Sequence, residues 1–229
     1  AQQSWRAVAT AVAAFALLVV ALQLWGIPAL ARTVAAHAPW SVDEALGRAA
    51  MGLVDERLMQ PSRLPRAEQE RVAAALAAAV RASGVNYPPW RLEFRHSRIG
   101  PNALALPGGT LIMTDQLVNL LRGDTDVTTA VLAHELGHVR HRHGLRAVVQ
   151  VGALGALAGL VLGDFSTLLA GAPVALGQAS YSRDAEREAD AEAVRRLRAA
   201  RIAPAVMLAP FERLDEWRAP REDGDEATA

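Results

Sequence analysis

The chain contains no cysteine and no lysine. Without cysteine it can build neither disulfides nor thiolate metal sites, so any zinc has to be held by histidine, carboxylate and water. That absence is compatible with both cytoplasm and periplasm. Because lysine is missing, all 24 basic residues are arginine, and 24 acidic residues bring the formal charge to zero. A nucleic-acid footprint needs basic residues clustered on one face. Here the arginine comes with abundant alanine, which reads as coding bias, and nucleic acid is set aside as a partner.

Charge is also lacking from Ala7 to Ala31, between Arg6 and Arg32. As a helix rising ~1.5 Å per residue, this stretch would be roughly 37 Å long, enough to cross a ~30 Å hydrocarbon core with some tilt. Trp5 and Trp25 stand where interfacial aromatics anchor a span. "ALA" at 29–31 resembles a signal-peptide cleavage site, but the apolar run exceeds the ~7 to 15 residues of such a peptide's core. The reading is a single transmembrane anchor over residues 1–31. Residues 32–65, with prolines and mixed charge, read as a membrane-proximal connector with a short helix near Val42 to Leu58.

A catalytic-sized domain over 66–218 follows. Val72, Leu76 and Val80 give helical spacing from about Arg66 to Ser83, and "SGVNYPP" ends that helix. "WRLEFRHS" (90–97) alternates apolar and polar residues, and "NALALPGGTLIMTD" (102–115) reads as strand, turn and strand, so a small antiparallel sheet is expected. A short helix over Gln116 to Leu121 leads to "RGDTD", where Asp124 or Thr125 can cap the next helix. Residues 147–182 are uncharged except near Asp164 and read as a hydrophobic hairpin, each half short for a full span, buried or dipping into the membrane surface. A charged helix from Arg183 to Ala200 comes next, and residues 219–229 form an acidic tail read as disordered. The fold class is α+β, mostly helical.

"AVLAHELGHVRHRHG" (130–144) carries the chemistry. His134 and His138 are four apart on a helix, so both imidazoles project from one face and can grip one ion, while Glu135 lies beside the ion without binding it: two metal ligands and a general base on one scaffold. His141, seven residues from His134, is a weak ligand candidate, because seven residues rise ~10 Å along a straight helix. His141 and His143 read as helix-end residues that complement the negative C-terminal dipole. A catalytic zinc wants a third protein ligand and an open position for water. "YSRDAEREADAEAV" offers Glu186 and Asp190 at i and i+4, with Glu186 able to reach a metal and Asp190 to orient a ligand histidine. Glu188 lies ~200° round the helix from Glu186. Taken alone, this segment reads more readily as a solvated helix laced with Arg–Glu pairs.

"HELGHVRHRHG", followed some forty residues later by "YSRDAEREAD", resembles the gluzincin family of membrane-associated zinc metallopeptidases that includes the CAAX prenyl protease, HtpX and the Oma-type proteases. "NALALPGG" is similar to that family's strand before the motif helix. The resemblance covers roughly residues 60–215. It implies a zincin-like catalytic domain and one Zn2+ per chain on His134, His138 and Glu186, with Asp190 in support and Glu135 as base. It also implies proteolysis in envelope protein quality control, at a bacterial inner membrane with the catalytic domain periplasmic. Backbone pairing along Asn102, Ala103, Leu104, Ala105 and Leu106 would then bind unfolded or misfolded polypeptide with little sequence preference. The chain departs from the family in lacking a histidine after His143. The transition-state-stabilising group then lies beyond the end of this sequence, is replaced by an arginine such as Arg201, or is missing with a loss of activity. The reading from another class is a zinc-stabilised, chaperone-like membrane protein that holds chains without cutting them.

Overall fold

A computed structural model describes residues 2–121, 123–162 and 182–218. It is mostly helical, with a four-stranded sheet among the described residues. The chain opens with α1 (Gln2–Ala21), passes through one π-helical turn (Leu22–Gly26) and continues as α2 (Ile27–His37). Ala, Leu and Val fill this helix, which takes in Pro28 just after the π-helical turn and runs on past Ala31 to His37. It is long and apolar enough to cross a membrane, with a mean hydropathy of 2.4 over its most apolar window and none of that window buried. Trp5, Phe15, Leu17 and Trp25 are all exposed on it.

The next segment is itself helical: α3 (Trp40–Arg57) fills most of the expected connector and leads to strand β1 (Met59–Pro61). After α4 (Arg66–Ala82) come β2 (Arg91–Ser97), β3 (Ala103–Leu106) and β4 (Thr110–Thr114), in the spatial order β1-β2-β4-β3. The β3–β4 hairpin turns tightly at Pro107–Gly109, where Gly108 sits at φ 76° and a Cβ would fall 2.7 Å from Glu44 Cα of α3. β1 pairs antiparallel with β2, and β3 with β4, but β4 lies beside β2 and runs parallel to it. The sheet is therefore mixed, not wholly antiparallel. The cause is visible in "TLIMT": all five residues of β4 are buried, and a strand buried on both faces belongs in the middle of a sheet, between β2 and the hairpin's first strand. β1 escaped the sequence because three residues with a proline carry no period; Pro61 is tolerated at an edge, where its missing N–H breaks no ladder.

Two cores flank this sheet. On one face Leu111 and Met113 meet Val72 and Leu76 of α4 and Leu132 and Leu136 of α6 (Thr125–Arg140). On the other, Ile112 and Leu106 meet Ala50 and Val54 of α3. A short α5 (Asp115–Leu120), capped by the Thr114 hydroxyl, connects β4 to α6, whose own N-cap is Asp124, accepting from the Val127 N–H at 3.2 Å. α7 (His143–Leu162) packs back along α2, where Ile27, Ala31 and Ala35 are buried. This is the first half of the expected hydrophobic hairpin; its second half, 163–181, lies outside the described residues, as does the tail, 219–229. α8 (Arg183–Ala199) and α9 (Ala209–Arg218) complete the fold.

α6 and α8 form the tightest helix pair. Gly137 makes the approach possible, since a Cβ there would fall 2.8 Å from Ala189 Cα and 3.0 Å from Ala189 O. Gly137→Ala sets two effects against each other. Helix propensity gains about 1 kcal/mol, while overpacking against backbone atoms that cannot swing aside costs about 1 to 3 kcal/mol. The second is expected to win, so the variant should melt lower than the parent; a higher melting temperature would show that α8 has room to shift.

Candidate metal centre and cleft

The α6–α8 contact brings together side chains from both helices. The Nε2 atoms of His134 and His138 are 3.0 Å apart. Glu186, in the first turn of α8, places Oε2 3.3 Å from His134 Nε2 and Oε1 3.9 Å from His138 Nε2. One ligand atom from each of the three lies within 4.8 Å of the others, a group able to hold a metal ion. Two imidazole nitrogens bound to one tetrahedral zinc at ~2.0 to 2.1 Å would stand about 3.3 Å apart, so the observed pair needs to move only tenths of an ångström. The donor set of two nitrogens and a carboxylate suits zinc and leaves a fourth position open.

Asp190, one turn after Glu186, sets Oδ1 2.9 Å from His134 Nδ1. This leaves Nε2 of His134 to face the cluster. Burial, and then the neighbouring histidines, push His138 down to about 3, so it is neutral at physiological pH, as a metal ligand must be. Burial raises Glu186, and the charge of Asp190 adds to the effect. Glu135 faces the cleft next to the cluster. Desolvation drives its carboxyl up to about 7, and Glu186 pushes the same way, against His134 and the backbone amide of Ala105. A carboxyl poised there can both take and return a proton near neutral pH.

The cleft beside these groups has a volume of about 340 Å³ and is mostly apolar. Of the expected substrate strand, Asn102 and Ala103 line it. Ala105 offers its amide to Glu135, whereas Leu104 and Leu106 pack into the α3-side core. The opposite wall comes from Met207, Pro210, Phe211 and Leu214. A cation also lines it: Arg218, at the end of α9. Arg201 is exposed at φ 61° just after α8 and does not line the cleft.

One residue is not where the sequence suggested, and another makes contacts that the sequence did not announce. His143 does not complement the end of α6. That helix stops at Arg140, the chain turns through His141 and Arg142 (φ 53°), and His143 opens α7. The turn folds His143 back under the cluster, buried, with Nδ1 2.9 Å from His138 Nδ1. Glu188 faces away from Glu186, as its helical angle requires, but it is far from idle. Its Oε2 lies 2.9 Å from His143 Nε2 and accepts from Arg146 Nη1 at 2.6 Å. His141 stacks on His143 with ring centroids 5.5 Å apart. The break at a residue that is neither Gly nor Pro gave no local signal.

Residues 66–217 match the sequence model of peptidase family M48. The chain belongs to peptidase family M48. It is also similar to protease HtpX homolog 1 of Saccharolobus solfataricus, 44% identical over 73 residues that make up 30% of this chain and 21% of that protein. The aligned stretch thus spans about a fifth of the relative's length. The family is one of metallopeptidases with zinc as the implied metal, and the His134, His138 and Glu186 group supplies a donor set that fits it.

The outer part of the site gives a pH test. Burial alone would raise Glu188, but its bonds with Arg146 and His143 outweigh this and hold it at about 2, below the ~4.3 of an unfolded glutamate. A depressed carboxyl stabilises the fold above the unfolded value and loses that contribution as pH falls toward the folded one. In metal-free protein, the stability difference between parent and Glu188→Gln is therefore expected to be full at neutral pH and to close between about 4.3 and 2. Denaturant melts across that range check it, and a difference that stays constant would mean that Glu188 is not held by its partners in solution.

Proposed function

We propose that this chain is a membrane-anchored zinc endopeptidase. The observation that carries the reading is the convergence of His134, His138 and Glu186, with Glu135 beside them, on a cleft bordered by β3, an edge strand of the sheet. His134, His138 and Glu186 would hold the Zn2+, with Asp190 orienting His134. The metal supplies Lewis acidity for the scissile carbonyl and makes a water a nucleophile near neutral pH. Glu135 takes the proton from the water as its oxygen adds to the carbonyl carbon. It returns that proton to the amide nitrogen as the C–N bond breaks, giving a carboxylic acid and an amine, which settle as carboxylate and ammonium. The outer edge of β3, beginning at Asn102 and Ala103, offers backbone groups to an extended polypeptide. Unfolded or misfolded chains expose such segments, and envelope protein quality control is the role this suits.

A protein that only holds chains has no use for a general base beside an open coordination position, which favours cleavage over holding. Glu135→Gln is expected to keep one zinc per chain and to abolish casein cleavage, and a chelator should silence the parent. Glu186→Ala should lose most of its zinc, while Asp190→Ala should keep part of it, with a ~10- to 100-fold fall in affinity or activity. Metal analysis of the three variants decides the roles; a Glu135→Gln variant that still cuts would remove Glu135 from the mechanism.

The apolar helix supports a membrane anchor, and resemblance to envelope proteases supports a bacterial inner membrane with the catalytic domain outside the cytoplasm. Since the chain has no cysteine, a single Arg66→Cys substitution on the exposed start of α4 reports topology cleanly. Labelling by an impermeant maleimide in intact spheroplasts is expected; labelling only after lysis would reverse the orientation.

A further inference from the structure

The two histidines of the cluster are supported differently. His134 leans on Asp190, a carboxylate whose side chain is 56% exposed. His138, nearly fully buried, meets instead a second histidine that is equally buried. A neutral imidazole carries one proton, so each contact fixes the next. His138 turns Nε2 toward Glu186 and His134 Nε2, and a nitrogen that gives its lone pair to an ion must leave the proton on Nδ1. That Nδ1–H then donates to His143 Nδ1, 2.9 Å away. With Nδ1 accepting, the proton of His143 sits on Nε2 and donates to Glu188 Oε2 at 2.9 Å. The same oxygen accepts from Arg146 Nη1 at 2.6 Å, which closes the chain on a charge. The two rings meet at 71°, centroids 5.0 Å apart, and His141 stacks on the outer face of His143. Three helices contribute: α6 the ligand, α7 His143 and Arg146, and α8 Glu188.

Resting on the zinc reading above, we propose that His143 and Glu188 are positioning residues for His138: a buried His138–His143–Glu188–Arg146 relay that fixes the tautomer and ring plane of one metal ligand. Outer partners of this kind set ligand basicity and geometry, and their loss costs ~10- to 100-fold in metal affinity. The relay also links α8 to the site twice, through Glu186 on one side of the helix and Glu188 on the other.

The test uses the full chain, with His143→Leu, His143→Asn and Glu188→Gln compared by circular dichroism, zinc dissociation constant from competition with a chromophoric chelator, and the visible spectrum of the Co2+-loaded protein. His143→Leu removes the acceptor and is expected to bind zinc ~10- to 100-fold more weakly, with altered cobalt bands. His143→Asn places an amide oxygen about where Nδ1 stood and should recover part of the affinity. Glu188→Gln should fall between parent and His143→Leu. A folded His143→Leu with parental affinity and an unchanged spectrum overturns the proposal. If His143→Leu fails to fold, parental affinity and spectrum in both other variants overturn it equally. A parent that binds no zinc defeats the zinc reading itself and this proposal with it, whereas a zinc-loaded parent with indifferent variants defeats only the relay.

Discussion

Everything at the candidate site depends on how closely α8 can lie against α6. Glu186 is some fifty residues from His134 along the chain, and a carboxylate reaches a metal only if the two helix backbones almost touch. The sequence removes every obstacle on that seam. Gly137 faces Ala189 with no side chain between, and Ala185, Ala189, Ala193 and Leu197 make a buried stripe along α8. Such contact would leave α8's polar groups stranded, and most of them are matched inside the joint, Arg196 Nε being left without a partner. Arg196, with no exposed surface, donates to the Ala133 carbonyl at 2.6 Å and lies over the Tyr87 ring at 4.3 Å, while buried Glu192 takes the Tyr87 hydroxyl. A buried charge of this kind costs little net free energy only while each partner is present, which makes the joint intolerant of change and fixes the helix register that the site requires.

A second joint connects the site to the first helices. Arg142, in the turn between α6 and α7, donates to buried Asp43 of α3 and to the Ala35, Ala38 and Pro39 carbonyls at the end of α2. Arg142 thereby caps α2, whose last carbonyls have no partner within the helix, and its left-handed backbone is held by these bonds. The residue after it is His143, so the bend that lifts α7 onto α2 is also the bend that brings His143 under His138.

Local features were legible in the sequence and long-range ones were not. The i, i+4 spacing of His134 and His138 places both on one helix face whatever surrounds them, and the Asp124 cap, α4 and the β3–β4 hairpin follow from equally local rules. Glu186 could be chosen over a solvated reading only through resemblance, because nothing in a charged helix says which glutamate meets a partner far away in sequence. The contacts of Glu188 with His143 and Arg146 were hidden for the same reason. The parallel β2–β4 pairing was hidden because hairpin rules concern neighbours in sequence, although the uninterrupted burial potential of "TLIMT" was a usable sign of a central strand. His143 was misread for a purely geometric reason: a straight helix carries it away from the cluster, and the turn at Arg142 depends on Asp43, a hundred residues upstream.

Docking on the edge of β3, as proposed, would have a consequence for selection. A strand edge recognises N–H and C=O groups, which every polypeptide has, and a folded protein keeps those groups engaged in its own ladders. Under the proposed docking, a chain on β3 would first have to free several consecutive residues, and the free energy of that opening would enter directly into the rate of attack when opening and closing are fast. A segment that opens at a cost of about 4 kcal/mol would be available roughly a thousandth of the time, while a damaged chain that cannot close is available always. Discrimination between the two would reside in the victim's own stability, and the edge strand would need no code for reading sequence.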